Sequence, residues 1–338
     1  MEGNLFIFNF KTIMNRNISR VIKIVVFIFI VAITDKGLGL ILRKLYFSQT
    51  AGQNSSLNYV FSKCNADILI FGNSRAQHHY DSRIISAALK MSCYNAGQDG
   101  GHSILLPYAL INVATERFSP KIIILEFFTE GIVHYPGDYD RLSILLPYYK
   151  EYPEIRSIIL LHSPYERIKL MSSIYPFNSD IINIIGFNTN TGEARKNDFE
   201  GYVPLKEILN IDMLKPQPEI VNQSEIRTQS VVDTNMVNAL ENIIRLCKGK
   251  NISLFIITSP VFHTVNEKQS PPSPVAELSL EIIHRNKVNY LDFSFNPTFI
   301  GHFEWFAEKN HLNEAGSKVF SNMLIDSIGK TIENNAKK

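Results

Sequence analysis

A serine, a histidine and a carboxylate stand in this chain where they could form a nucleophile, its general base and the acid that orients the base. Ser74 follows an apolar run, DILIF, and the pair Gly72-Asn73, which predicts a serine at a strand-to-helix turn. Such a turn presents the hydroxyl at the carboxyl edge of a parallel sheet, and the serine N–H faces any oxyanion formed there. The alternative is a serine that only caps a helix.

The second group lies near the C-terminus, in the segment EKNHLN. Glu308 precedes His311 by three residues, and in a turn this spacing lets the carboxylate reach the His311 Nδ1–H and fix the tautomer that accepts a proton at Nε2. Asn313 is predicted to be the N-cap of the last helix. The alternatives are a surface histidine beside a cap, or a different acid, Glu304 or Asp292.

A third group is the glycine-rich block Asn95 to Gly101 (NAGQDGG), which follows a short apolar segment. Glycine lets a backbone N–H approach a ligand without obstruction by a side chain. The block could therefore help to bind an oxyanion. The alternative is an ordinary turn.

The elements that must position these groups alternate along the chain, which predicts an α/β domain with right-handed crossovers and a parallel sheet covered by helices on both faces. Apolar runs predict buried strands at Asp67–Phe71, Ser92–Asn95, Lys121–Phe127, Ile252–Thr258 and Val288–Phe293. Helical patterns occupy Asp81–Leu89, Ile104–Arg117, Val231–Leu246, Val275–His284 and the residues after Asn313.

The stretch 131–229 does not show this alternation of strand and helix patterns and is interpreted as an insertion that forms a lid or a substrate-binding surface. Its tyrosines could stack on sugar rings, although a place in the core or in an interface is more common for aromatic residues. The tyrosines in question are Tyr135, Tyr139, Tyr148 and Tyr149.

At the N-terminus, a long apolar stretch without a small-residue cleavage site predicts an uncleaved transmembrane helix. Basic residues precede its apolar core, which favours a cytoplasmic N-terminus. Asp35 and Lys36 interrupt the stretch and must pair, or mark the point where the helix leaves the hydrocarbon. The alternative is a buried helix of a soluble protein. The predicted organisation is a cytoplasmic segment 1–20, a span 21–42, a linker 43–57 and a main domain 58–338.

Charge and composition narrow the range of partners. Lys and Arg total 34 against 32 Asp and Glu, with no long basic run, so nucleic acid is not an expected partner. His78, His79 and Asp81 are neighbours, but adjacent side chains on a helix diverge, so a polar helix start is predicted there rather than a metal site. The three cysteines lack zinc or disulfide spacing and are predicted to be small buried hydrophobes: Cys64, Cys93 and Cys247.

Together, the GNSR block, the glycine-rich block and the ExxH pair resemble the SGNH (GDSL-type) hydrolase superfamily, whose members carry the nucleophile after the first strand and a DxxH pair near the C-terminus. The resemblance implies that Ser74 is the nucleophile and that His311, oriented by Glu308, is the base. It implies that Gly100 and the Ser74 N–H bind the oxyanion. It also implies a three-layer α/β/α fold with a parallel, flavodoxin-like sheet.

Two positions depart from the pattern of that superfamily. The acid is Glu308 where aspartate is usual. The block after the third strand reads FFTEG, so the usual oxyanion asparagine is absent, and Glu130 would repel developing negative charge. Thr129, Asn95 or Gln98 could supply the missing donor.

Membrane-anchored members of the superfamily remove or transfer acyl groups, commonly acetyl, on envelope polysaccharides. The resemblance therefore implies a periplasm-facing serine esterase or O-acyltransferase that needs no metal or organic cofactor, acts on an acylated glycan and works beside polysaccharide assembly proteins. Arg75 and Thr129 would contact the substrate, although Arg75 could equally form a local salt bridge. The rival hypothesis is a non-catalytic domain that binds polysaccharide or a membrane protein. Catalysis requires Ser74 Oγ and His311 Nε2 to approach within about 3.5 Å.

Overall fold

The structure, a computed structural model, describes residues 3–49, 54–100, 103–135, 137–188, 199–211 and 231–336. The chain divides into two compact units. The first unit comprises residues 1–49 and 164–192, and the second comprises residues 50–163 and 193–338. Parts of the predicted linker, glycine-rich block and insertion therefore lie outside the described residues: 50–53, 101–102, 136, 189–198 and 212–230.

The second unit is built on a parallel sheet of five strands. They are β1 Ile68–Phe71, β2 Cys93–Asn95, β3 Ile122–Glu126, β4 Ser253–Thr258 and β5 Asn289–Asp292. Their order, β2-β1-β3-β4-β5, is the doubly wound, flavodoxin-like order, in which ligands bind at the carboxyl ends of the strands beside the switch between β1 and β3. Every side chain of β1 and β3 is buried, because helices cover both faces of the sheet. All five predicted strands are present, but β5, at the edge of the sheet, is only half-buried and ends at the exposed Asp292, so the prediction of a buried strand is wrong there.

The helices confirm the alternating pattern. In the described part of the chain the helices are α1 Gly3–Phe47, α2 Ser55–Ser62, α3 Ser74–His79, α4 Ser82–Leu89, α5 Leu105–Arg117, α6 Arg156–Ile159, α7 Glu166–Lys169, α8 Ile181–Asn188, α9 Thr234–Gly249, α10 Pro274–Arg285 and α11 Glu314–Ala336. The C-terminal helix α11 packs on α3 and α4, and α9 packs on α5.

A two-stranded antiparallel hairpin precedes the C-terminal helix. Its strands are β6, Phe306–Glu308, and β7, His311–Leu312. Asn313 then caps α11, since its Oδ1 atom accepts hydrogen bonds from the backbone N–H groups of Ala315 and Gly316, both at 3.1 Å. The predicted N-cap is therefore confirmed.

The first unit consists of α1 and residues 164–188 of the described chain. Within α1, the stretch Ile18–Phe47 is long and apolar enough to cross a membrane. The helix continues beyond residue 42, so the predicted linker 43–57 begins later than expected. The reason is that Tyr46 is fully buried and contacts Phe177, with their ring centroids 5.6 Å apart.

The predicted insertion is divided between the two units. Residues 164–188 belong to the unit that contains α1, while 131–163 and 199–211 pack in the second unit. Tyr148 is fully buried, stacks on Phe61 and donates a hydrogen bond to Asn58 Oδ1 at 2.7 Å, so it belongs to the core rather than to a sugar-binding surface. Short 3₁₀ helices of three to nine residues recur in the described part of the insertion and before β6: Asp140–Tyr148, Pro153–Ile155, Leu160–His162, Tyr175–Asp180 and Phe303–Trp305.

Candidate active site

The nucleophile turn connects β1 to α3. Gly72 has φ +152°, and a Cβ atom there would lie 2.7 Å from the Glu126 Cβ and 2.9 Å from the Ala76 Cβ, so only glycine fits. Asn73 caps the helix by accepting a hydrogen bond from the Arg75 N–H at 3.0 Å. Ser74 is thus the first residue of α3, half-buried at the carboxyl end of the sheet.

The proposed base lies on the β6–β7 hairpin. Glu308 pairs with His311 across the antiparallel register, and the two-residue turn between them accounts for the three-residue spacing. The Glu308 carboxylate contacts His311 Nδ1. Because a carboxylate only accepts hydrogen bonds, the proton lies on Nδ1 and leaves Nε2 as an acceptor.

The structure brings Ser74 and His311 together although 237 residues separate them in the chain. His311 Nε2 lies 2.7 Å from Ser74 Oγ and accepts the hydroxyl proton. This distance is within the limit of about 3.5 Å that catalysis requires. Neither alternative acid contacts His311: Glu304 contacts His302 at 2.8 Å, and Asp292 accepts the backbone N–H of Ser294 at 2.8 Å.

A second histidine supports this dyad from inside the protein. His79, at the end of α3, is fully buried, and its Nε2 atom accepts the backbone N–H of Leu312 at 2.9 Å. Its Nδ1–H therefore donates to Ser259 Oγ, 2.8 Å away. Burial, and secondarily the positive charge of Arg75, hold the pKa of His79 well below its ordinary value of 6.5, so this imidazole is neutral.

A buried ion pair lies under the nucleophile turn and corrects one prediction. The guanidinium of Arg75 lies 3.0 Å from Glu126 Oε1 and donates to Ser259 Oγ at 3.0 and 3.1 Å and to the Ser259 carbonyl oxygen. Arg75 is 8% exposed, so it forms the local salt bridge and does not contact substrate. Glu126 also accepts from Tyr80. Burial raises the pKa of the Glu126 carboxyl, although Arg75 opposes this effect.

The predicted oxyanion donors are the N–H groups of Ser74 and Gly100 and the side chain of Asn95. The Ser74 N–H belongs to the first turn of α3, where helical N–H groups have no intrahelical partner. Gly100 has φ +81° in an exposed loop, and Arg141 contacts the carbonyl oxygen of the preceding residue, Asp99. Gly101, the last residue of the predicted block, lies outside the described residues.

Asn95 was predicted as a possible oxyanion donor, but its side chain makes structural hydrogen bonds instead. Its side-chain Nδ2 donates to the carbonyl oxygens of Ala76 at 2.7 Å and Tyr80 at 3.0 Å, and its Oδ1 accepts from the Gly97 N–H at 3.0 Å. All of its amide hydrogens are therefore used to hold the glycine-rich block against α3. The side chain of Asn95 cannot act as an oxyanion donor.

The turn after β3 lies at the same edge of the sheet as Ser74. Thr129 and Glu130 are both half-buried there, and neither makes a described contact with Ser74 or His311. A small pocket adjoins the nucleophile turn on the other side. Its polar lining includes Asn73, Gln98, Ser103, Asp138 and Arg141.

The remaining histidine of the predicted polar helix start also faces the site. His78 lies edge-to-face with His311, with ring centroids 5.7 Å apart, and its Nδ1 lies 2.7 Å from the Val203 carbonyl oxygen. Asp81 caps α4 and pairs with Arg83 at 2.7 Å. Among the described residues, no group of three His, Cys, Asp or Glu side chains is arranged to hold a metal ion.

The sequence alone does not reveal that His79, Ser259 and Glu126 support the Ser74–His311 pair. Glu126 carries one signal, since a carboxylate that ends an otherwise apolar strand needs a buried partner. Ser259 carries another, since it directly follows β4, where parallel sheets place functional groups. Comparison of the chain with known protein families and with characterised proteins finds no match.

Proposed function

We propose that this protein is a serine enzyme of the SGNH type that cleaves or transfers an acyl ester. The observation that carries the proposal is the 2.7 Å contact between Ser74 Oγ and His311 Nε2, with Glu308 on the opposite nitrogen of the imidazole. A hydroxyl that donates to a neutral, carboxylate-oriented imidazole is the arrangement that activates serine for acyl transfer.

In the first half of the reaction, Ser74 Oγ attacks the carbonyl carbon of the ester while His311 Nε2 takes the hydroxyl proton. Glu308 stabilises the imidazolium that forms. The Ser74 N–H and the Gly100 N–H donate to the oxyanion of the tetrahedral intermediate. The bond from carbon to the leaving oxygen then breaks, that oxygen takes the proton from His311, and an acyl-serine remains.

In the second half, a water molecule or a sugar hydroxyl attacks the acyl carbon and gives its proton to His311. The bond to Ser74 Oγ breaks and the proton returns to the serine. Water yields hydrolysis, and a sugar hydroxyl yields acyl transfer. Protons and leaving groups balance without a cofactor.

The substrate class follows from the resemblance to the superfamily, whose membrane-anchored members act on acyl esters of envelope polysaccharides. The proposed substrate is therefore an acyl ester, commonly acetyl, of an envelope polysaccharide, reached on the extracytoplasmic side of the membrane.

The rival function is polysaccharide or protein binding without catalysis. A binding domain has no need of a serine hydroxyl aligned on a correctly tautomerised histidine, or of a buried histidine that supports the hairpin carrying this base. The alignment therefore favours an enzyme.

The test is labelling of the full-length protein, in detergent micelles, with a fluorophosphonate that phosphonylates activated serines. We expect labelling of the wild type and its loss in Ser74→Ala and in His311→Ala. The matched control is His302→Ala, since His302 has a glutamate partner at 2.8 Å but no described contact with Ser74. A folded wild type that is not labelled would rule out an activated serine and leave the binding hypothesis.

A further inference from the structure

Residues 164–188 of the first unit carry large apolar side chains that point away from the protein. On the surface of a soluble protein, the exposed positions of a helix are mostly polar. Large exposed apolar patches instead mark sites that contact a membrane or another protein. The exposed fractions are 85% for Ile182, 74% for Met171, 68% for Tyr165, 67% for Ile168 and 51% for Ile185.

Helix α8 shows the feature most clearly. Its sequence, IINIIGFN, contains no charged residue, and Asn183 and Asn188 are its only polar side chains. Ile184 is fully buried, whereas Ile182 and Ile185 are exposed. A helix that is apolar all round is stable only inside a protein core or in contact with lipid.

Polar groups fix this segment to the helix that is long enough to cross a membrane. Asp35 of α1 accepts hydrogen bonds from Ser172 Oγ at 2.5 Å, from the Ser173 N–H at 2.7 Å and from the Ile174 N–H at 3.3 Å. Lys36 donates to Ser173 Oγ at 3.0 Å. The two charged residues that interrupt the apolar stretch of α1 are thus satisfied by residues 172–174.

Close packing continues toward the C-terminal end of α1. A Cβ atom at Gly39 would lie 2.4 Å from the Ser173 Cβ, so glycine is what allows the backbones to approach there. Tyr46 contacts Phe177, and Asn188 donates to the Leu45 carbonyl oxygen at 3.5 Å. The described contacts of the segment with α1 therefore lie between Asp35 and Phe47, and the apolar side chains from Ile18 to Ile33 remain exposed.

We infer that residues 164–188 form a membrane-embedded collar, seated in the interfacial layer of the bilayer around the C-terminal end of α1. This inference rests on α1 crossing the membrane and is independent of the chemistry at Ser74. The exposed apolar side chains of the collar contact lipid, and the exposed basic side chains of Arg167 and Lys44 reach the headgroups. Asp35 and Lys36 lie where the collar, rather than lipid, packs against α1. Its polar groups at residues 172–174 accommodate these two charged residues within the apolar stretch.

The test uses the full-length protein in nanodiscs of defined lipid, with a single environment-sensitive fluorophore on an introduced cysteine. The three native cysteines are buried, so the unsubstituted protein serves as the blank for labelling. The probed positions are Ile182→Cys and Ile168→Cys. Phe29→Cys, exposed on α1, marks the bilayer interior, and Val265→Cys, 75% exposed in the second unit, marks the aqueous control.

We expect quenching of the fluorophores at positions 182 and 168 by lipids that carry a spin label near the headgroup. The fluorophore at position 29 is expected to be quenched best by a label deep in the acyl chain. Access of iodide to positions 182 and 168 should be several-fold lower than to position 265.

Three outcomes would overturn the inference. Iodide access at both collar positions equal to that at position 265 would show that the collar lies in water. Protection in native membranes but not in nanodiscs would show that a partner protein covers the collar instead of lipid. Absence of lipid quenching at position 29 would remove the premise that α1 crosses the bilayer. None of these results depends on fluorophosphonate labelling, so the inference and the proposed function fail separately.

Discussion

The Nε2 atom of His79 accepts the backbone N–H of Leu312 at 2.9 Å, so a buried histidine of α3 holds the strand that carries the proposed general base. The nucleophile begins the same helix. One short helix therefore sets the positions of Ser74 and His311 together, which is how a contact of 2.7 Å is maintained between residues far apart in sequence.

Replacement of His79 should reduce the rate of acyl transfer by changing the position of His311. In His79→Phe the N–H of Leu312 loses its acceptor, and an unpaired buried N–H costs about 1–3 kcal/mol. In His79→Gln the side-chain oxygen can still accept this hydrogen bond. We therefore expect slower fluorophosphonate labelling in His79→Phe and substantial rescue in His79→Gln.

A structural role without positioning would give a different result for His79. The readouts are the labelling rate at saturating probe and its pH profile, measured on variants whose far-ultraviolet circular dichroism matches that of the wild type. Equal labelling rates in His79→Phe and His79→Gln, both folded, would refute the positioning role.

The free energy of unfolding should decrease below neutral pH, because the imidazole of His79 stays neutral in the folded protein. Its pKa in the folded protein is well below 6.5, while the unfolded chain binds a proton at about 6.5. The stability it contributes is therefore complete above pH 6.5 and is lost as the pH falls toward the folded pKa, by up to about 1.4 kcal/mol per pH unit.

This pH dependence can be measured by urea unfolding in detergent micelles at several pH values between 7.5 and 5. We expect the free energy of unfolding of the wild type to decline more steeply than that of His79→Gln over this interval, because glutamine has no proton to bind. Parallel curves for the two proteins would contradict the burial of a neutral imidazole at position 79.

Loss of the carboxylate at position 308 should slow catalysis moderately. Glu308→Gln removes the preference for the Nδ1–H tautomer, and replacing a buried triad acid in this way costs about 10⁴-fold in rate. The Glu308 side chain is 64% exposed, so water can partly replace it, and we expect a loss of about ten- to hundredfold. Glu304→Gln is the matched control and should label at the wild-type rate.

Breaking the buried ion pair should destabilise the second unit. Arg75→Met leaves the Glu126 charge buried without its cation, which is expected to cost about 3–5 kcal/mol of unfolding free energy. The double variant Arg75→Met/Glu126→Gln removes both charges and should recover part of this loss. Chemical unfolding of the single and double variants measures the free energy of unfolding. A loss below about 1 kcal/mol in Arg75→Met is typical of a solvent-exposed ion pair and would contradict the burial of the Arg75–Glu126 pair.

Alanine at position 72 should be destabilising, because its Cβ atom would meet the Glu126 Cβ at 2.7 Å and its φ of +152° is strained for any side chain. Gly329→Ala is the matched control. Nothing lies within 4 Å of its added Cβ in the interior of α11, so helix propensity predicts a gain of about 0.5–1 kcal/mol. Opposite signs for the two variants in the same unfolding assay are expected, and equal signs would contradict the tight turn.

The amino-acid sequence determined the elements of the main domain. Short apolar runs between helical patterns favour buried strands, so β1, β3 and β4 were predictable from local pattern, whereas β2 (CYN) and β5 (NYLD) carry a weaker signal. The Asn313 cap and the Glu308–His311 pair were also predictable, because each depends on residues within a few positions of one another.

The tertiary structure alone decided the contacts between distant residues. Strand order places Ser259 beside Arg75 and His79, and it turns Arg75 inward to Glu126 instead of outward to substrate. The packing of residues 172–174 on α1 likewise gives Asp35 its hydrogen-bond donors, more than a hundred positions away in the sequence. No local pattern encodes such pairings, since the free energy that selects them comes from burying charged and polar groups with complementary partners once the strands and helices have packed.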